Sequence, residues 1–293
     1  TSATDDSRYA VARISSAQRP PVFAVLDANS MRTLTTFPTY PNLDSRRLAP
    51  VVPVEYRARD GLSIRGYLTT PLDADGHARR EAPLIVIARD GPVETTSYIA
   101  NTVPAGTFTN APADYSFDVE RQLFASRGYA VLQVNRRGSR GRGRDFLLAG
   151  SGSKWAHEAQ NDIIDGVRWV IQEGAADAAR VCIYATGYGV SSALAAASMD
   201  PSLFRCIVGV NGTYDDSLPV NPGSITAAVL LMQQSDAGVT TELNSRMRSM
   251  LERAGSSIRW DSIYSSYSGV LTPDNHLSAY KKIISFLDTQ FGR

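Results

Sequence analysis

Histidine and cysteine are both scarce here, three of the first and two of the second in 293 residues. His77, His157 and His276 are scattered, as are Cys182 and Cys206. No metal-ligand spacing results, and no metal or other cofactor is expected. An excess of either charge is missing too. The net charge of +1, from 30 basic and 29 acidic residues, argues against nucleic acid or an anionic membrane as partner. No apolar run approaches the roughly 18 residues that span a bilayer. The opening TSATDDSRYA lacks both an apolar signal region and an initiator Met, so it reads as a mature, trimmed or excised chain.

What is present is ordinary globular chemistry, 43% hydrophobic, in a chain long enough for one large domain or two smaller ones. Residues 1–50 stand apart. RYAVARISS, PPVFAVLDA and MRTLTTF are short β-like runs separated by turn residues. Three strands cannot bury both faces of a sheet alone, so they should lean on the following domain or on other chain. PTYPNLDSRRLAP reads as a linker.

From residue 51 strands alternate with helices, the pattern of a parallel sheet covered by helices. VPVEYRARDG and LSIRGYLTTP form a hairpin around Asp60-Gly61. PLIVIAR and YAVLQVN are apolar enough to be central strands, with the amphipathic helix DVERQLFASRG between them. EAQNDIIDGVRWVIQEG is a strong helix, with Ile163, Val167 and Val170 on one face. RVCIYAT leads into the small-residue helix YGVSSALAAASM. FRCIVGV, TAAVLLMQQ and SIRWDSIYS follow as strands, TELNSRMRSMLERAG as a helix, and a last helix runs from Pro273 to Phe291. Each cysteine opens a buried strand and reads as a reduced core thiol, with a disulfide as the alternative.

This order of motifs resembles the α/β-hydrolase domain of the prolyl oligopeptidase family, nearest its bacterial dipeptidyl and acylaminoacyl peptidase branch. YRARDGLSIRGYLTTP, LFASRGYAVLQVNRRGSRGRGRDF, NDIIDGVRWVIQEGAADAARVCIYATGYG, FRCIVGVNGTYD and AYKKIISFLDTQFG carry the resemblance. It implies an α/β-hydrolase fold over residues 51–293, a mostly parallel sheet flanked by helices. Residues 1–50 are similar to the last strands of the β-propeller that precedes this domain in the family. A fragment, a processed subunit or a truncated relative is therefore expected, soluble and bacterial, in cytoplasm or periplasm.

The family's catalytic positions can be followed one by one. Its nucleophile turn, G-x-S-x-G on a strand-to-helix elbow, reads CIYGGSYGAYAA; here it reads CIYATGYGVSSA. The serine position is Gly187, which has no nucleophilic atom. Thr186, Ser191 and Ser192 are weak substitutes; the serines read as helix-surface hydroxyls. Counting back from Pro273 places the family's base at Ser268. His276 lies at the start of the last helix and reads as an exposed structural histidine. Asp236, in QSDAGV, is the relic of the acid, or a turn Asp. For the oxyanion hole, the N–H of Tyr188 is retained, but His-Gly-Gly-Pro has become Arg89-Asp90-Gly91-Pro92. A carboxylate there opposes a developing oxyanion. The family's long insertion after VNGTYDD is also missing.

NRRGSRGRGR carries five arginines in ten residues and reads as the family's Gly/Arg turn rather than a nucleic-acid patch. The expectation is a pseudopeptidase with a binding, scaffolding or regulatory role. Its partner would be an N-terminal propeller chain or a homologous subunit, or a peptide ligand. The alternative is an active serine hydrolase whose catalytic groups are relocated or supplied by a partner.

Overall fold

The computed structural model describes residues 2–3, 8–88, 117–139, 141–151, 155–214, 218–234, 241–255, 257–263 and 273–292. Two sheets organise them. The first is a four-stranded antiparallel meander: β1 (Ser2–Ala3), β2 (Tyr9–Ser16), β3 (Arg19–Asp27) and β4 (Arg32–Pro38). The short β1 adds a strand to the three read from the sequence. The linker holds one 3-10 turn, Ser45–Arg47, whose cap Asp44 accepts from the Arg46 N–H.

The second sheet has eight strands: β5 (Val51–Arg57), β6 (Ser63–Thr69), β7 (Ala82–Ala88), β8 (Ala130–Asn135), β9 (Ala176–Thr186), β10 (Cys206–Val210), β11 (Ala228–Gln234) and β12 (Ile258–Ile263). Their spatial order is β12-β11-β10-β9-β7-β8-β6-β5. β6 runs antiparallel to β5 and β8, and every other pairing is parallel. The connecting helices are α1 (Val119–Ser126), α2 (Arg144–Leu148), α3 (Trp155–Gln172), α4 (Gly189–Met199), α5 (Thr241–Arg253) and α6 (Pro273–Phe291).

The central strands are apolar at nearly every position because both faces of a parallel sheet are covered. All seven residues of β7 are buried. Side chains alternate across a strand, so Leu84 and Val86 join Val181, Ile183 and Ile207 on the face carrying α3, α4 and α5. Ile85 and Ile87 join Tyr184 and Val208 on the face carrying α1 and α6. The helix ends follow local chemistry. Asp118 caps α1 by accepting from the Arg121 N–H at 3.0 Å, and Gly128 at φ 81° follows the helix, a conformation that suits glycine.

The meander touches the larger domain through α1. The Phe117 N–H donates to Ser15 Oγ at 3.3 Å, and Gln122 Nε2 donates to the carbonyls of Ala17 and Ala49.

The cysteines correct the expectation of reduced thiols: Cys182 and Cys206 form a disulfide. β9 and β10 pair in a register that sets the two residues side by side, with Cα atoms 4.6 Å apart. That distance lies within the range a disulfide bridges. The alignment of two non-adjacent segments creates the bond, and no local pattern announces it.

Candidate active site

The strand-to-helix turn lies where the sequence places it, between β9 and α4. Gly187 is its apex, at φ 55°, a left-handed conformation that costs a residue with a Cβ about 1–2 kcal/mol. Three backbone hydrogen bonds hold it there. Gly187 N–H donates to the Val210 carbonyl at 3.1 Å, and its own carbonyl accepts from Val190 and Thr213 at 3.2 and 3.0 Å. A Cβ built on Gly187 would meet no atom within 4 Å. The turn therefore retains both the strained backbone and the free space of a nucleophile elbow, without the side chain.

The neighbouring strand is shaped to let the elbow helix approach. A Cβ on Gly209 would come within 2.9 Å of Val190 and 2.8 Å of Leu231, so only glycine fits between them. Tyr188, whose N–H belongs to the expected oxyanion hole, is buried at the head of α4. Its ring packs with Ala159 of α3, Ala195 and Leu218.

The nearby hydroxyls correct one expectation. Ser191 and Ser192 are fully buried rather than on the helix surface. α4 is wedged between the sheet and α3, and every residue from Gly189 to Ala197 is buried. Ser191 Oγ donates to the Thr213 carbonyl at 2.7 Å, and Ser192 Oγ accepts from Arg136 at 2.6 Å. Both hydroxyls pin the elbow helix to its surroundings. Thr186 is half-buried at the end of β9.

All three histidines are exposed. His276 is on the first turn of α6, stacked on the Tyr280 ring with centroids 6.5 Å apart. His157 is on the first turn of α3, and His77 is in the turn after β6. Asp236, Ser268 and Arg89-Asp90-Gly91-Pro92 lie outside the described residues. Among the described residues, no group of three or more His, Cys, Asp and Glu side chains could hold a metal, and no helix is long and apolar enough to cross a membrane.

Two clusters of buried polar groups were not anticipated from the sequence. Arg137, in the turn after β8, is almost entirely buried against Asp162 of α3, which is fully buried. The guanidinium reaches Asp162 Oδ1 at 2.8 Å and Asp60 Oδ2 at 2.7 Å, and the Arg137 N–H donates to Asp162 Oδ2 at 2.8 Å. Tyr56 adds a bond to the Asp162 carbonyl at 2.5 Å. Burial pushes the Asp162 carboxyl up, and the Arg137 hydrogen bonds pull against it. Burial opposes the charge on Arg137 as well, but its bonds to Asp162 and Asp60 hold it above the usual arginine range.

On the other face, Glu120 of α1 accepts from Tyr184 at 2.5 Å and from Tyr280 at 2.6 Å. It ties β9, α1 and α6 together. Burial, and then the Glu120 charge, push the Tyr184 phenol well above its usual range. The signal for the first cluster was an Arg just after a strand and an Asp inside an apolar helix face, each costly to bury alone.

Comparison with known proteins agrees with this geometry. Residues 115–218 match the prolyl oligopeptidase family model. The chain is 33% identical over 216 residues to dipeptidyl aminopeptidase BIII of Pseudoxanthomonas mexicana, covering 72% of this chain and 29% of that protein. It is 30% identical over 184 residues to dipeptidyl peptidase family member 6 of Caenorhabditis elegans, covering 59% and 24%. Among solved structures, a puromycin-hydrolyzing peptidase of Mycobacterium tuberculosis superposes with a TM-score of 0.78 at 18% identity, covering 96% of this chain and 46% of that one. An acylaminoacyl peptidase of Pyrococcus horikoshii gives 0.72 at 21% identity, covering 95% and 48%. The chain thus spans less than half the length of these relatives. A parallel sheet with an antiparallel margin, a strained elbow after its central strand and these matches together make this chain a member of the prolyl oligopeptidase family, with an α/β-hydrolase fold.

Proposed function

We propose that this peptidase-family domain does not hydrolyse peptides and serves as a binding, scaffolding or regulatory module. The observation that carries this reading is Gly187, a residue with no nucleophilic atom at the apex of an intact elbow. Two sequence features and one structural observation support it: Ser268 at the aligned position of the base, Asp90 within the stretch aligned with the oxyanion motif, and the burial of Ser191 and Ser192 in structural bonds. The relatives are named as peptidases, so the ligand of such a module is a peptide held near the old pocket.

A fluorophosphonate probe, which marks activated serines, is expected to leave the chain unlabelled. Chromogenic dipeptide and acyl-amino-acid substrates should turn over no faster than with a heat-denatured sample. Gly187→Ser should stay inactive, because a serine without a base is a weak nucleophile. It should also lose about 1–2 kcal/mol of stability in urea, since the Cβ returns to a left-handed turn. Gly187→Ser with Ser268→His should remain poor, because Arg89-Asp90 stands in the sequence where the family's oxyanion motif has His-Gly. Saturable hydrolysis by the parent that survives repurification, or strong activity in the single variant, would overturn the reading.

The same reading extends to partners. Every residue of β4 is exposed, Phe37 at 59%, and among the described residues β4 is the edge strand of its sheet. Such an edge is a template for another strand, so we assign it to a propeller chain or a homologous subunit. Light scattering is expected to report a mass above the monomer for the isolated chain. A monomer whose stability is unchanged after residues 1–40 are deleted would remove this assignment.

A further inference from the structure

A groove of about 1290 Å³ runs between the linker, the turn after β6 and the outer side of α1. It lies on the sheet face opposite the elbow helix, because α1 packs with α6 and not with α4. Its volume exceeds the roughly 300–1,000 Å³ of a small-molecule pocket, and its length suits a chain segment. Along this wall α1 (Val119–Ser126) is about 12 Å long, from a rise of 1.5 Å per residue. That matches an extended segment of about four residues.

The groove has an apolar wall and a basic rim. Tyr40, Leu43 and Val119 line it while 40–47% exposed, a cluster of apolar surface of the kind that marks contact sites. Its floor is closed by Gln122, which is spent on the backbone of Ala49, accepting from its N–H at 2.9 Å and donating to its carbonyl at 3.0 Å.

Four arginines and two aspartates line the groove. Both carboxylates are already engaged: Asp44 holds Arg46 at 3.0 Å, and Asp73 accepts from the Asp75 and His77 N–H groups of its own turn. Arg47 and Arg79 have no ion pair or side-chain hydrogen bond among the described residues. Among the described residues the groove is thus lined by more basic than acidic side chains, beside exposed apolar ones.

We propose that this groove docks an extended acidic peptide segment of a partner protein. Its carboxylates pair with Arg47 and Arg79, and its apolar side chains lie against Tyr40, Leu43 and Val119. Arginine suits this role because its planar fork matches a carboxylate. The proposal is independent of whether the elbow is catalytic.

The test is fluorescence anisotropy with three labelled hexapeptides: Asp-Leu-Glu-Phe-Asp-Leu, its Asn/Gln counterpart and its Lys counterpart. The acidic peptide is expected to bind, more weakly as salt rises, and the other two to bind at least about tenfold less well. Arg47→Glu with Arg79→Glu should weaken the acidic peptide by a similar factor, and Leu43→Asp should weaken it as well. These residues are exposed, and an unchanged melting curve verifies that each variant is folded. No binding of the acidic peptide, equal binding of all three, or binding untouched by the groove variants would each overturn the proposal.

Discussion

Arg137→Met is expected to cost about 3–5 kcal/mol in urea unfolding, the penalty for stranding a buried charge. The substitution leaves Asp162 fully buried without its cation. The backbone N–H of residue 137 still donates to the Asp162 carboxylate, but it brings no positive charge, and Tyr56 engages the main-chain carbonyl rather than the carboxylate. Arg137→Met with Asp162→Leu should recover most of the loss, because replacing both partners with apolar groups is often near neutral.

The single variant should also respond to pH with a defined sign. Burial already raises the Asp162 carboxyl, and Arg137 supplies the opposing pull. Without that pull its folded-state pKa rises further above the unfolded value. The folded state then binds more protons than the unfolded one, and stability falls as pH rises through that window. The variant should therefore regain stability between about pH 8 and about pH 5. A loss under about 1 kcal/mol, the range of an exposed pair, would show that the network contributes no more than a surface bridge.

The second large effect is expected at the disulfide. Cys182→Ala with Cys206→Ala should lower stability by about 3–3.5 kcal/mol, from the chain-entropy relation for a loop of this size. The bridge closes a separation of 24 residues. Unfolding the parent in the presence of reductant should give the same shift of the urea midpoint. Thiol titration of the unfolded parent without reductant should find no free thiol. A titre of two per chain would overturn the bridge.

These residues also show where reading from sequence succeeds. β7 and β8 were recognisable because continuous apolar runs have few alternatives in a chain of strand–helix alternation. The elbow was recognisable because a turn between a buried strand and a small-residue helix is a local motif. His276 was assigned to the surface, and it is exposed on the first turn of α6.

What failed depends on register between distant segments. Cys182 and Cys206 looked like two separate core thiols until β9 and β10 aligned. Ser191 and Ser192 looked like surface hydroxyls because an isolated helix does not show how many of its sides are covered. Here α3 packs on one side and the sheet on another, and the polar atoms are spent on Thr213 and Arg136. The pairing of Arg137 with Asp162 across 25 residues is hidden for the same reason.

The position of β7 between β8 and β9 has a consequence for how the chain is made. APLIVIA is complete at residue 88, but its partner β9 spans Ala176–Thr186. At a synthesis rate of about 5–20 residues per second, the nascent strand waits roughly 5–20 s for that edge to be covered. During this interval a fully apolar strand presents open hydrogen-bonding groups, the condition that favours intermolecular pairing. Yield during expression should therefore depend on chaperone supply and on slowed translation after residue 88 more than on the final stability of the folded domain.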